Sequence, residues 1–335
     1  MLKERIGKEK MAEALKQMAN TATVRGLLKT NNLELTVDNT QNSIIRGNLI
    51  VEFEDQLGNI NNVRAEVYVR EFKRDGNENK MFASYKTIMD EYKSVDVHGR
   101  EEADEIIVTG ELNSNEFVDR TDNLIISTRL RAVFVNRFDE TKTQHTNTPV
   151  GASVVMGAVV DSLKDEYDAE GLPTGRKRVE LYTVGYNNTV SKFEKVFIPA
   201  QLAEQSEGFF YEGFNGLVTL AIKHFAEVTE VQTEAESLGF GVGAVDPTRA
   251  VTSYTDELWL VGADEFRNET LILSSEQIEQ VKKLYKEKLA TVEKRASASA
   301  PQPTSGFGTQ TTQATTIPGA ENPLRSAVSS DTPVF

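Results

Sequence analysis

Between about residue 22 and residue 138 apolar side chains recur at every second position, the pattern of strands with one buried face. The alternation is carried by ATVRGLL (22–28), SIIRGNLIVEFED (43–55), NNVRAEVYVREF (61–72), ADEIIVTGEL (103–112) and NLIISTRLRAVFVNRF (123–138). DQLGN (55–59) and RDGNEN (74–79) supply turn residues between them. FASYKTIMDEYKSV (82–95) changes the period: Tyr85, Ile88, Met89 and Tyr92 fall at helical spacing. The predicted order is β-β-β-α-β-β.

The order then repeats. GASVVMGAVVDSL (151–163), RKRVELYTVGYN (176–187) and VSKFEKVFIPA (190–200) alternate, AQLAEQSEGFF (200–210) suits a helix, and NGLVTLAIKHFAEV (215–228) and DELWLVGADEF (256–266) close the set. This is the order of the OB-fold, a small five-stranded barrel with a helix after its third strand. The expected fold is mainly β: two OB-fold-like barrels in tandem, residues 21–140 and 151–270, joined by a linker over 141–150. An insert is expected over 233–253. An amphipathic helix is expected over 3–19, within an N-terminal segment 1–20. A second, over 271–295, carries Ser274 and Gln277 as a capping box and an apolar stripe of Ile278, Val281, Tyr285 and Val292. That stripe must pack on its own barrel or on a second copy of the chain. From residue 296 to 335 the chain is mostly Ser, Thr, Pro, Gly, Gln and Ala with few charges, a composition that predicts a disordered tail.

Composition narrows the chemistry. The 335 residues include no cysteine, which excludes disulfides and thiol catalysis. His98, His145 and His224 are scattered, and no nucleotide-binding or nucleophile motif occurs, so neither an enzyme nor a metal or other cofactor is expected. The glycine-rich LGFGVGAV (238–245) and the acidic DEYDAEG (165–171) suit loops better than ligand cradles. No stretch approaches the roughly 20 apolar residues of a membrane span. No apolar leader is seen at the first residues, so a cytoplasmic protein, with no membrane partner, is expected. The net charge of -14 opposes nucleic acid overall, so a nucleic-acid site needs local basic surface.

Such surface is present on the strands. The face of NNVRAEVYVREF opposite its valines carries Arg64, Tyr68, Arg70 and Phe72, and the 123–138 strand adds Arg129 and Arg131. The second half offers Arg178, Tyr182, Lys195 and Phe197. Aromatic rings flanked by arginines suit single-stranded DNA, whose bases stack while its phosphates take the charges. Taken singly, each of these residues also suits an ordinary exposed strand face.

The chain ends SSDTPVF. Together with the strand order and the low-complexity linker, this ending resembles single-stranded-DNA-binding proteins of the bacterial or bacteriophage type. The resemblance implies non-enzymatic protection of single strands. It also implies that Asp331, Pro333, Val334 and Phe335 form a tip that docks on replication or recombination proteins. Here the tip has one acid where the family has a run. The alternatives are a phage structural or assembly protein whose barrels bind other proteins, and an RNA-binding barrel protein.

Overall fold

The computed structural model describes residues 15–232, 248–268 and 271–299. The elements among them are β1 (Asn20–Val37), β2 (Ser43–Glu54), β3 (Ile60–Arg70), α1 (Lys80–Glu91), α2 (Val95–His98), β4 (Glu105–Val118), β5 (Leu124–Arg137), α3 (Thr143–Thr146), β6 (Gly151–Tyr167), β7 (Pro173–Val184), β8 (Val190–Ile198), α4 (Ala200–Ser206), β9 (Asn215–Gln232), β10 (Thr248–Glu265) and α5 (Ser275–Ser299). The fold is mainly β, and the strands form one large sheet.

Within the first half, pairings run β1 to β2 to β3, across to β5, then to β4 and back to β1. The β3–β5 pairing is parallel and short, through Ala65/Leu130 and Glu66/Arg131. The second half repeats the circuit as β6, β7, β8, β10, β9 and β6, again with one short parallel pairing, β10 with β8. The alternation seen in the sequence explains the inward faces. Val63, Ala65, Val67 and Val69 of β3 are buried, as are Val179 and Leu181 of β7.

The halves are not separate beads on a linker. Residues 20–25 of β1 pair antiparallel with residues 156–151 of β6, while residues 22–27 of the same strand pair with β4. Both edges of this stretch are therefore occupied. Near Gly26 the strand passes from β4 to β2. A Cβ there would lie 2.3 Å from the carbonyl oxygen of Glu52, so only glycine fits the crossing. Ala22, Val24, Val154 and Met156 are fully buried at the seam, and one apolar core runs through both halves. A second contact joins β3 to β9: buried Asn61 accepts the His224 N–H at 3.0 Å, and Lys223 reaches Asp55 at 2.6 Å.

Several expectations change. Of the helix expected over 3–19, residues 3–14 lie outside the described residues. Residues 15–19 are not helical, and Met18 donates its N–H to Val184. β1 runs to Val37, well past its apolar segment, because β2 supplies a hydrogen-bonding partner along the whole length. Residues 248–253, expected in an insert, belong to β10. Residues 233–247 of that insert, and the tail from residue 300, lie outside the described residues. The capping box forms: Ser274 donates its N–H to Gln277 Oε1 at 2.9 Å, and Gln277 returns its N–H to Ser274 Oγ at 3.3 Å.

Two outcomes follow from the seam. Met156→Ala should cost about 2–5 kcal/mol, the range for deleting a buried methionine side chain. The single tryptophan, Trp259, reports on the second half alone. Its fluorescence should nevertheless change together with far-UV circular dichroism on urea unfolding, in wild type and variant alike. Separate transitions would contradict a shared core. The second outcome concerns Asp55. Burial raises its carboxyl, but the Lys223 ammonium and the N–H groups of Asn59 and Leu57 outweigh burial and hold it at about 2. Because the folded value lies below the unfolded one, this stabilisation is full above about pH 4 and is lost as the pH falls through about 2. The difference in melting temperature between wild type and Asp55→Asn should therefore be largest near neutrality and shrink towards pH 2.

Candidate nucleic-acid interface

The outward face of β3 carries Arg64, Glu66, Tyr68 and Arg70 in alternation with its buried residues. β5 lies beside it in parallel, and β4 pairs antiparallel with β5, placing Asn113 opposite Arg129 and Glu111 opposite Arg131. These pairings bring together side chains more than sixty positions apart. Arg64, Tyr68, Arg129 and Arg131 line one open groove of about 390 Å³, with Asn48, Glu66 and Asn113 among its other walls. Tyr68 is 49% exposed, so its ring face is available.

Local hydrogen bonds set the posture of these groups. Arg64 Nε donates to Asn48 Oδ1 at 2.8 Å. Arg70 Nε donates to the Tyr68 hydroxyl at 3.2 Å, and its guanidinium also meets Asp38 at 3.4 Å. The Tyr68 contact, ahead of Asp38, raises the Arg70 pKa. Arg129 meets Glu66 at 3.4 Å. The Arg131 side chain makes no hydrogen bond or ion pair among the described residues. Three arginines face one glutamate in the groove lining, a locally positive site on an acidic chain. Phe72, 39% exposed, sits past the end of β3 in a bridge with Glu78 and outside the groove lining.

The second half does not reproduce this arrangement. Arg178 and Lys195 are exposed, and Arg178 Nε donates to the Glu194 carbonyl at 3.1 Å. Tyr182 and Phe197, expected on an open face, are 5% and 8% exposed. Stacking on a base needs a free ring face, which neither offers. Tyr182 does point away from the inner core, as alternation requires, but α5 lies over that face and Tyr285 packs edge-on against it at 5.5 Å. Burial, ahead of nearby Asp161, pushes the Tyr182 hydroxyl up to about 12. Phe197 is capped by the Arg176 guanidinium, 4.2 Å from its ring centroid, and Arg176 is itself held by Glu166 and Glu257.

A second cavity of about 660 Å³ opens between β4, α5 and the 3-10 turn Tyr186–Asn188. Tyr186 is 72% exposed there. The sequence places it on the same strand face as Tyr182. The signal against that placement is the Asn187-Asn188 pair, which takes left-handed backbone at φ 54 and 58 and turns the chain. The expected docking tip, Asp331, Pro333, Val334 and Phe335, lies outside the described residues. Among the described residues no cluster of histidines and carboxylates could hold a metal ion, and no helix is long and apolar enough to cross a membrane.

Comparison with known proteins adds the following. No curated protein matches the chain. The crystal structure of the wild-type single-stranded DNA binding protein from Thermus aquaticus is similar at 15% identity and a TM-score of 0.41, covering 76% of this chain and 95% of that one. A deletion mutant of the same Thermus aquaticus protein is similar at 14% identity and a TM-score of 0.41, over 75% of this chain and 96% of that one. The family model described as YorF matches residues 19–295, a span that takes in both strand circuits and nearly all of α5. The chain belongs to the YorF family.

Proposed function

We propose that the chain is a non-enzymatic single-stranded-DNA-binding protein that shields single strands during DNA replication or recombination. We read each strand circuit as an OB-fold barrel, because a helix follows the third strand and the third and fifth strands pair in parallel. The observation that carries the reading is the groove on β3 and β5. It gathers an exposed tyrosine and three arginines on the outer strand face that barrels of this kind use for oligonucleotides. Tyr68 offers a π-face to a base of any identity, and the arginines offer charge to successive phosphates. Such contacts favour flexible single strands over duplex and give little sequence readout.

The reading is tested by fluorescence anisotropy with labelled oligo-dT, in parallel with a duplex of the same length. Binding should be tighter to the single strand and should weaken with salt. If three phosphates are neutralised, the slope of log K against log salt is about −2. Arg131→Ala should make that slope shallower by about 0.7. Tyr68→Ala should cost about 1–3 kcal/mol, the range for one stacked base, with a salt slope unchanged. An absence of single-strand binding at low salt would sink the proposal.

A further inference from the structure

We infer that a bound single strand follows one track, from the β3–β5 groove into the adjoining cleft beside Tyr186, and that it does not use the β7–β8 face of the second half, where α5 covers Tyr182. This rests on the single-stranded DNA reading above. The groove and the cleft adjoin: Asn113, Ser114 and Arg131 line both. A strand leaving Arg131 meets the cleft next, where Arg131 and Lys288 stand against Glu111 and Glu287. The far side of the cleft presents Tyr186, the more exposed of the two tyrosines on the track, on a turn fixed by two left-handed asparagines. Its rim is rich in amides and hydroxyls, including Gln17, Asn20, Asn188 and Thr291, which can both donate to and accept from base edges. Tyr68 thus lines the groove, Tyr186 lines the cleft, and Arg131 lines both.

The face of the second half that corresponds to β2 and β3 is β7 and β8. There Tyr182, Val184 and Val190 are buried against Val281 and Tyr285 of α5. Of the cations on these two strands, Lys192 is already committed, with Glu180 at 2.6 Å, Glu194 at 3.3 Å and Asp161 at 3.6 Å, while Arg178 and Lys195 are exposed. α5 is also anchored across the seam. Lys288 Nζ pairs with Glu116 of β4 at 2.5 Å and donates to the Val190 carbonyl at 3.0 Å. The Glu116 side chain is almost wholly buried. The helix that closes the second face is therefore the same helix that walls the cleft, and it is pinned to the first half.

The test uses the full chain and oligo-dT of about 30 nucleotides, long enough to span more than one barrel site. Tyr186→Ala, a change at an exposed position, should weaken binding about fivefold or more, the low end for losing one stacked base. Photo-crosslinking of the same oligonucleotide should map to peptides containing Tyr68 and Tyr186. Arg178→Ala and Lys195→Ala should weaken binding less than Tyr186→Ala does. If wild type binds and Tyr186→Ala binds equally well, the track is wrong while the single-strand reading stands. The track is also overturned if Arg178→Ala or Lys195→Ala costs as much as Tyr186→Ala, since the strand would then cross the second face. If wild type itself fails to bind, the functional reading falls and the track falls with it.

Discussion

Everything in the described structure hangs on the doubly paired stretch of β1. Residues 22–25 give one edge to β4 and the other to β6. A strand at the rim of a sheet exposes unpaired N–H and C=O groups, and here each half supplies the cover for the other's rim. The pairing also carries side chains with it. Ala22 and Val24 meet Val154 and Ala152 across the seam, and small residues let the two backbones lie in register without a void. Once β1 and β6 are joined, the first circuit's outer groove and the second circuit's turn at Tyr186 have a fixed relation. The groove and the cleft adjoin on this fixed frame, sharing Asn113, Ser114 and Arg131.

The same seam accounts for the concentration of buried charge. Glu116, Ser114 and Lys288 form one connected group, with Ser114 Oγ donating to Glu116 Oε1 at 2.5 Å. Ser114 also exchanges hydrogen bonds with the second half: its N–H donates to Ser191 Oγ, and its Oγ accepts from the Lys192 N–H. A pair whose carboxylate is buried adds little net stability compared with apolar packing, because the Glu116 charge must be stripped of water. What this pair supplies is a tie between α5, β4 and the Val190 carbonyl. An apolar stripe on α5 would pack acceptably at several rotations. A lysine that must find one buried glutamate accepts a single setting. Tyr285 fits the same account: burial first, then the Glu116 carboxylate, raises its hydroxyl pKa, so it stays a neutral packing group. The two halves share a topology and differ in surface: in the second, α5 covers Tyr182 and Arg176 covers Phe197.

Much of the strand pattern was legible because alternation is local physics. The segments predicted at 43–55 and 61–72 match β2 and β3 to within two residues, and the outward set Arg64, Tyr68 and Arg70 is where the period puts it. β1 was underestimated because its second part, TNNLELTV, has too few apolar residues to show a buried face. Its strand character comes from β2's hydrogen bonds, not from its own side chains. The groove was legible only as a set of residue types. That Arg64 and Arg129 share it depends on a parallel pairing of two residue pairs between β3 and β5, which leaves no mark in either segment. Tyr182 failed for a related reason. Period two identified its face correctly, and only the placement of a helix a hundred residues further on decides that this face is covered.

An acidic chain with a basic groove remains to be reconciled with an anionic ligand. Fifty-one acids oppose thirty-seven lysines and arginines, so the molecule repels nucleic acid at long range. Yet charges on a surface are felt over only about 8 Å at physiological ionic strength. Many acids are also locally answered: Glu52 by Lys29 and Arg100, Glu105 by Arg25, Asp104 by Arg137, Glu102 by Lys93. In the groove lining itself Arg64, Arg129 and Arg131 stand against Glu66, with Glu111 beside Arg131 on the neighbouring strand. The distant acids then act as a filter. A stiff duplex has to bring its whole phosphate array against the acidic body to reach the groove. A flexible single strand can thread a few phosphates along the arginines and keep the remainder beyond the screening length. On this argument the acidic composition, at first sight the strongest objection to a nucleic-acid partner, favours single strands over duplex.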